Sequence, residues 1–337
     1  MTEAVHDSEE VEAISISVVV PVYQGERTLE ALVDEIEPLT RPQRTRAGHL
    51  FRVRELIFVH DDAVDRSDVV LEQLASRHRF IRLLWLSRNF GQHPATLAGM
   101  ASSTGDWIVT LDEDGQQNPA EIGALLDTAI EGDASLVYGL PTNRPPHGFV
   151  RNAASAFAKW VFRRLLGNVM LGRFNSFRLI DGQIARSLAA FCGSEVYLDV
   201  ALSWVVRKSA SCPVLLREER GRRSGYTFRK LFSHMWRMFL TSGTKPLRLI
   251  SILGCLSIVA GLAFSGVVVW ERMTSEIPVQ GWTSLVIALC IFSGMILFAL
   301  GVIAEYVGLS LTMAMGKPLY LTIHNRRTSR KPPEAGA

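Results

Sequence analysis

Residues 106–119 read Asp-Trp-Ile-Val-Thr-Leu-Asp-Glu-Asp-Gly-Gln-Gln-Asn-Pro. The second half of this stretch holds three consecutive carboxylates, Asp112, Glu113 and Asp114. Gly115 and Pro119 then break the chain before a helix begins. Side chains two apart on an extended segment point the same way, so Asp112 and Asp114 can share one divalent cation while Glu113 points elsewhere. Two hard oxygen ligands suit Mg2+ or Mn2+, which take one or two protein carboxylates and complete their shells from substrate phosphates and water. Taken alone, an Asp-x-Asp is common and reads better as a solvated acidic turn, so the elements around it decide.

Those elements alternate. Trp107–Leu111 is a short apolar run that reads as a buried strand of a mostly parallel sheet. Upstream, strands are expected at 15–20, 53–59 and 80–86, and helices from about Arg27, over 65–77 and over 94–101. Downstream come a helix over 119–130 and a strand over 135–138. Strand–helix alternation of this kind predicts a doubly wound α/β sheet. In such sheets ligands bind outside the carboxyl ends of the strands. The strands ending at His60-Asp61-Asp62, at Ser87-Arg88-Asn89 and at Asp112 therefore point polar groups at one crevice.

Composition adds a second part to the molecule. The mean hydropathy of +0.17 is high for a soluble enzyme, and the excess lies toward the C-terminus. Spans of about 247–270 and 282–304 are almost free of charge, and each is long enough to cross a bilayer core of about 30 Å. Basic residues flank the pair on both outer sides, Lys245 and Arg248 before, Lys317, Arg326 and Arg327 after. The positive-inside rule then puts both termini in the cytoplasm and the 271–281 loop outside. Stretches near 149–171 and 226–242 mix Phe, Trp and Leu with Arg and Lys, as helices lying in a membrane interface do. The resulting division is an acidic, disordered lead-in (1–13), a catalytic domain (14–244), two spans (245–310) and a basic tail (311–337). Met1–Ala13 has neither the positive start nor the apolar core of a signal peptide. The four cysteines form no C-x-x-C pair, which argues against a zinc site or a disulfide framework. A net charge of +3 gives no reason to expect nucleic acid.

Several stretches together carry a resemblance. They are Val20-Pro21-Val22-Tyr23, Leu86 to His93, Gly105 to Gln116, Phe177-Arg178-Leu179, Lys245-Pro246-Leu247-Arg248, Glu305-Tyr306-Val307-Gly308 and Lys317-Pro318-Leu319-Tyr320. In this order and spacing, over roughly 15–325, the chain resembles the GT-A, family 2 polyprenyl-phosphate glycosyltransferases. The likeness is to bacterial undecaprenyl-phosphate sugar transferases with two C-terminal spans and, more distantly, to dolichol-phosphate mannose synthase. The resemblance implies a GT-A (Rossmann-like) catalytic domain, interfacial helices and a transmembrane hairpin. It implies metal-dependent, inverting transfer of a sugar from a nucleotide to undecaprenyl or decaprenyl phosphate at the inner leaflet, for modification of a cell-envelope glycan. The location implied is the bacterial inner membrane, multi-pass, with the catalytic domain cytoplasmic and with membrane lipid and a second copy of the chain as candidate partners.

Residue by residue, the resemblance sets Pro21 and Tyr23 against the nucleotide base and makes Asp61 the base-reading carboxylate. Asp112, Asp114 and Gln116 would hold the metal and the donor diphosphate, with Glu113 and Arg144 also on the donor side. Arg178 would lie at the sugar as a catalytic residue. Arg151 and Ser155 would face phosphate, and Arg220 with Arg222 or Arg223 would clamp it. Four departures from the family pattern cluster at the nucleotide and phosphate contacts. They are His60 to Ala63 in place of Asp-Asp-Gly-Ser, Thr142 in place of an Arg, Gly115 in place of a Leu, and Gly225 in place of a Lys. Two other classes compete. A processive polysaccharide synthase usually carries Gln-x-x-Arg-Trp, and no Arg-Trp pair occurs here. A catalytically degenerate GT-A scaffold is motivated by the departures and opposed by the retained Asp112, Asp114, Gln116 and Arg178. A dinucleotide-binding oxidoreductase would need a G-x-G-x-x-G after a strand, which is missing.

Overall fold

The computed structural model describes residues 13–142, 175–193, 197–217 and 282–323, with scattered helical positions between 254 and 273. The chain divides into two units, Met1–Ala156 with Val169–Gly225 and Pro318–Ala337, and Phe157–Asn168 with Tyr226–Lys317.

The first unit is built on one nine-stranded sheet. Its strands are β1 (Ile14–Val22), β2 (Gln43–Arg44), β3 (Leu50–His60), β4 (Ile81–Leu86), β5 (Trp107–Thr110), β6 (Leu136–Pro141), β7 (Arg178–Asp181), β8 (Ser209–Val214) and β9 (Thr322–Ile323). The order is β8-β6-β7-β5-β1-β3-β4-β9, with β2 paired to β3. Pairing is parallel through β5-β1-β3-β4 and for β6-β8, while β7 runs antiparallel between β5 and β6. The sheet is thus the mixed, mostly parallel α/β sheet of the GT-A type.

Both faces are covered, which is why β1 is apolar at nearly every position. Ile16, Val18, Val20 and Val22 enter a core with α1 (Leu29–Ile36), α2 (Ser67–Arg77) and α4 (Ile122–Glu131). Val19 faces the other way, into a core with α3 (Gln92–Ser102), α5 (Gly182–Phe191) and α6 (Leu198–Val205). The alternation is the period-2 geometry of a strand buried on both sides. The expected elements through residue 138 are present, with boundaries moved by a few residues. The structure adds β2 and, after Gly139, β7, α5, α6, β8 and β9.

The second unit contains α7 (Trp282–Ala314), 33 residues long. Among the described residues it is the helix long and apolar enough to cross a membrane, its apolar window running from Ile291 to Ala314. The helix therefore continues past Ala304, where the sequence reading ended the span. Leu297, Phe298 and Leu300 are exposed along it, and such apolar residues all around one helix suit a lipid surrounding. The interfacial stretches near 149–171 and 226–242 lie outside the described residues, as does most of 247–270.

Candidate active site at the carboxyl ends of β1, β3 and β5

The acidic turn sits where β5 ends. Leu111 donates its backbone N–H to Val19 O (3.0 Å), which keeps the chain on the sheet for one residue beyond β5. Asp112 then leaves the ladder and is held by side chains instead. Its N–H donates to Gln117 Oε1 (2.8 Å). Its carboxylate accepts from Gln92 Nε2 (2.6 Å), Gln117 Nε2 (3.0 Å) and Ser176 Oγ. Asp114 Oδ1 accepts from the Gln116 N–H (3.0 Å), a local Asx turn. Gly115 adopts φ +72°, a conformation that strongly favours glycine and explains why no leucine stands there.

Burial raises the Asp112 carboxyl to about 6, and the nearby charge of Asp114 adds to the effect against Ser176, Arg178 and Gln117. Two carboxylates held this close favour a cation between them or a shared proton. Among the described residues no group of three or more His, Cys, Asp or Glu could hold a metal. The donor set is two carboxylates, which fits Mg2+ or Mn2+ completed by substrate phosphate and water.

Glu113 does point elsewhere, toward the loop after β1. Its two oxygens accept from the backbone N–H groups of Tyr23 (2.8 Å) and Gln24 (2.9 Å). The loop passes so close that a Cβ on Gly25 would lie 3.0 Å from Glu113 Oε2 and 2.9 Å from Leu29 Cγ. Glu113 therefore fixes the wall that carries Pro21 and Tyr23, and Tyr23 stands 40% exposed on it.

Asp61 has a different position from the one expected. It is 3% exposed, and both carboxylate oxygens accept backbone N–H groups, Phe90 to Oδ1 and Gly91 to Oδ2, each at 2.7 Å. Its carboxylate holds the loop after β4 rather than facing an open crevice. Burial raises its pKa, against those two bonds and the charge of Arg88. His60, beside it, is buried with its ring 4.7 Å from that of Trp85. His93 lies inside the first turn of α3, its ring 4.0 Å from that of Tyr197. The helix starts two residues earlier than the expected residue 94, with Gly91 at its N-cap.

Arg178 also differs. It is 2% exposed, with Nε donating to Thr110 Oγ1 (3.0 Å) and Nη1 paired with Asp199. Tyr138 OH donates to the same Asp199 oxygen (3.0 Å). Burial alone would lower the guanidinium pKa, but the charge of Asp199 and, more weakly, those of Tyr138 and Asp112 raise it. Arg178 thus lies buried at the start of β7 within electrostatic reach of Asp112, with its ion pair made to Asp199.

Gln116 contributes its backbone: N–H to Asp114, and O as acceptor from the Arg217 N–H (2.9 Å). Arg217 also binds Glu35 (2.6 Å) and Asn118 (2.8 Å) through its guanidinium. The segment that leads to Arg220, Arg222 and Arg223 is therefore tied at its start to the acidic turn. Those three residues, with Arg144, Arg151 and Ser155, lie outside the described residues.

Sequence reasoning named Gln116 and missed Gln117, Gln92, Ser176 and Asp199. Ser176 had a signal, because it stands two residues before Arg178 and so shares its direction along an extended segment. Asp199 had none, since its partner is 21 positions away on another element.

Comparison with known proteins fits this geometry. Residues 17–189, more than half of the chain, match the family model described as Glycosyl transferase family 2. An uncharacterized glycosyltransferase of Bacillus subtilis, YkcC, is 28% identical over 326 residues, covering 94% of this chain and 97% of its own. The undecaprenyl-phosphate 4-deoxy-4-formamido-L-arabinose transferase of Pectobacterium carotovorum is 28% identical over 309 residues, 91% of this chain and 92% of its own. Glucosyl-3-phosphoglycerate synthase of Mycobacterium tuberculosis, solved with Mn2+, UDP-glucose and phosphoglyceric acid, aligns with a TM-score of 0.48 at 18% identity, over 69% of this chain and 79% of that one. The chain belongs to glycosyl transferase family 2 and is a transferase.

Proposed function

We propose that the protein transfers a sugar from a nucleotide to a polyprenyl phosphate, with inversion, at the inner leaflet of a bacterial membrane. The observation that carries the reading is the Asp112–Asp114 pair at the end of β5, held together despite like charge. The full-length likeness to an undecaprenyl-phosphate sugar transferase points to the lipid acceptor. Asp114 and Asp112 would hold Mg2+ or Mn2+, which when bound supplies Lewis-acid stabilisation of the departing diphosphate. Gln92, Gln117 and Ser176 fix the Asp112 carboxylate, so little reorganisation is left for the reaction. Glu113 shapes the donor wall through the Tyr23 and Gln24 amides. The acceptor phosphate is an anion at pH 7, so attack needs no strong general base. One displacement from the face opposite the nucleotide inverts the anomeric centre.

Two crossings are supported by chain connectivity. The sheet takes strands from both sides of the apolar region, β1–β8 before it and β9 after it. A chain that leaves a domain and rejoins it on one side of a membrane crosses an even number of times. With α7 as one crossing, the apolar sequence at 247–270 is the candidate for the other, and the described positions between 254 and 273 are helical. A reporter in the 271–281 loop is expected to be active outside the cytoplasm, and activity confined to the cytoplasm would overturn the two-span reading.

The test of function uses the purified full chain, undecaprenyl phosphate, Mn2+ and a panel of radiolabelled nucleotide-sugars. Label is expected in the organic phase for one donor, and only when the lipid phosphate is present. Label in a water-soluble polymer would mean a synthase. Absence of transfer from every donor, with nucleotide still bound, would mean a scaffold.

A further inference from the structure

Two motifs far apart in the chain, Leu86 to His93 and Lys317 to Tyr320, meet in space. β9 pairs antiparallel with β4, Trp85 opposite Ile323 and Leu86 opposite Thr322. One residue further, the Ser87 N–H donates to Leu321 O at 2.9 Å. Leu319 and Tyr320 pack against the same core cluster as Leu84, Leu86 and Phe90. We infer that residues 319–321 form a positioning strap that holds the Ser87–Gly91 loop in register with the candidate active site.

That loop is anchored at three points. Its Phe90 and Gly91 N–H groups meet the Asp61 carboxylate, each at 2.7 Å. Its continuation, Gln92, reaches Asp112 at 2.6 Å. The third anchor is the Leu321 carbonyl, with Leu319 and Tyr320 packed against the core cluster that Phe90 also meets. Ser87, Arg88 and Asn89 themselves are exposed, so the loop has little burial of its own to fix it. A two-residue edge strand has few hydrogen bonds, and the partly buried Leu319 and Tyr320 side chains give it most of its hold. When the strap leaves, the loop loses its tether at Ser87, its Phe90 and Gly91 amides part from the Asp61 carboxylate more often, and Gln92 no longer meets Asp112 at a fixed angle. This rests on the proposed transferase reading for its consequence in catalysis, but not for the contact itself.

Amide hydrogen exchange on the full-length protein decides it. In the Leu319→Ala, Tyr320→Ala double variant, exchange at Ser87, Phe90 and Gly91 is expected to speed up at least tenfold. Leu188→Ala, in the same core cluster but on α5, is the control for general loosening and should leave those three amides protected. Tyr320→Phe with Leu319 intact should keep them protected as well. With the nucleotide-sugar selected by the donor screen, the double variant is expected to lower kcat about tenfold with the donor KM within twofold. Protection retained at Phe90 and Gly91 in the double variant, or equal loss in Leu188→Ala, would overturn the inference. A wild-type protein without transfer activity would count against the functional reading alone, because the exchange result stands apart from it.

Discussion

Two carboxylates, Glu55 buried and Asp112 half-buried, lie toward opposite ends of one sheet and are treated in opposite ways. Glu55, on β3 near the amino ends, accepts from Ser17 Oγ (2.7 Å), from Thr104 N–H (2.6 Å) and Oγ1 (2.8 Å), and from Arg82. Burial would raise its pKa, yet these partners outweigh burial and lower it. Asp112, past the carboxyl end of β5, also accepts three side-chain donors, yet its pKa rises to about 6. The number of donors is similar. Desolvation is the largest influence on both: at Glu55 the donors, the Arg82 guanidinium among them, outweigh it, while at Asp112 it prevails, the charge of Asp114 adds to it, and Arg178 is committed to Asp199. One end of the sheet is arranged for stability. The other holds an unfavourable arrangement that a bound cation would relieve, which is the signature of a working site.

The contrast can be broken at several points. The largest effect is expected from Asp199→Ala, which leaves Arg178 buried and unpaired and should lower stability by about 3–5 kcal/mol in urea titration. A joint Arg178→Met, Asp199→Leu replacement should recover most of it. A small loss in the single variant would mean that Arg178 is not committed to Asp199.

Asp114→Ala comes next. It should reduce transfer about 10³-fold or more, since a metal's stabilisation of the leaving group is worth several kcal/mol. The thermal midpoint should hold or rise, because a like charge beside Asp112 is gone. Near-normal turnover with Mn2+ present would remove Asp114 from the site.

A paired pH experiment then compares the two carboxylates directly. A pKa raised in the folded state means that the folded protein binds the proton more tightly. Ionising Asp112 therefore removes stability as pH rises from about 4 to about 6, by roughly 2–3 kcal/mol in all. Asp112→Asn should stabilise the metal-free protein at pH 7.5 and not at pH 4, with the Gln92 amide turned so that its oxygen faces the new NH2. Glu55 has a lowered pKa, so its contribution is present above about 4.5 and lost as pH falls through the folded value. Glu55→Gln should therefore destabilise at pH 7.5 by about 1–3 kcal/mol and converge on wild type in acid. Melting curves of both variants at the two pH values settle the matter. Equal signs would erase the distinction.

The smallest effect is expected at Glu113. Glu113→Gln keeps one acceptor but sets an NH2 against a backbone N–H, and should raise the donor KM several-fold with little change in melting temperature. An unchanged KM would detach the Tyr23 wall from donor binding.

The part of the sheet that was legible in the sequence is the part with local pattern. β1, β3, β4 and β5 are β-branched or apolar runs closed by polar residues, and the helices between them keep apolar spacing. β7 and β9 are four and two residues long. They exist because of partners far along the chain, and no window of sequence contains those partners. At the site, Asp112 and Asp114 were legible because chemistry and periodicity coincide in one segment. Gln117 was not, because the reversal at Gly115 decides which glutamine turns back toward Asp112. Arg178 was set at the sugar by the family resemblance; an arginine is seldom fully buried, and Asp199, on a separate helix, is what makes the interior tolerable.

β9 has a further consequence, in the order in which the protein is made. Trp85 and Leu86 leave the ribosome early, but the residues that pair with them follow the apolar stretches. Until those stretches have been synthesised, the β4 edge stays open, a template for pairing with other chains. The sheet is thus completed only after the apolar stretches have been synthesised. A fragment ending at residue 217 would retain the carboxylates and lose the closing strand. Its expected fate is aggregation through β4, and grafting 318–323 back onto it is the direct way to recover a soluble domain.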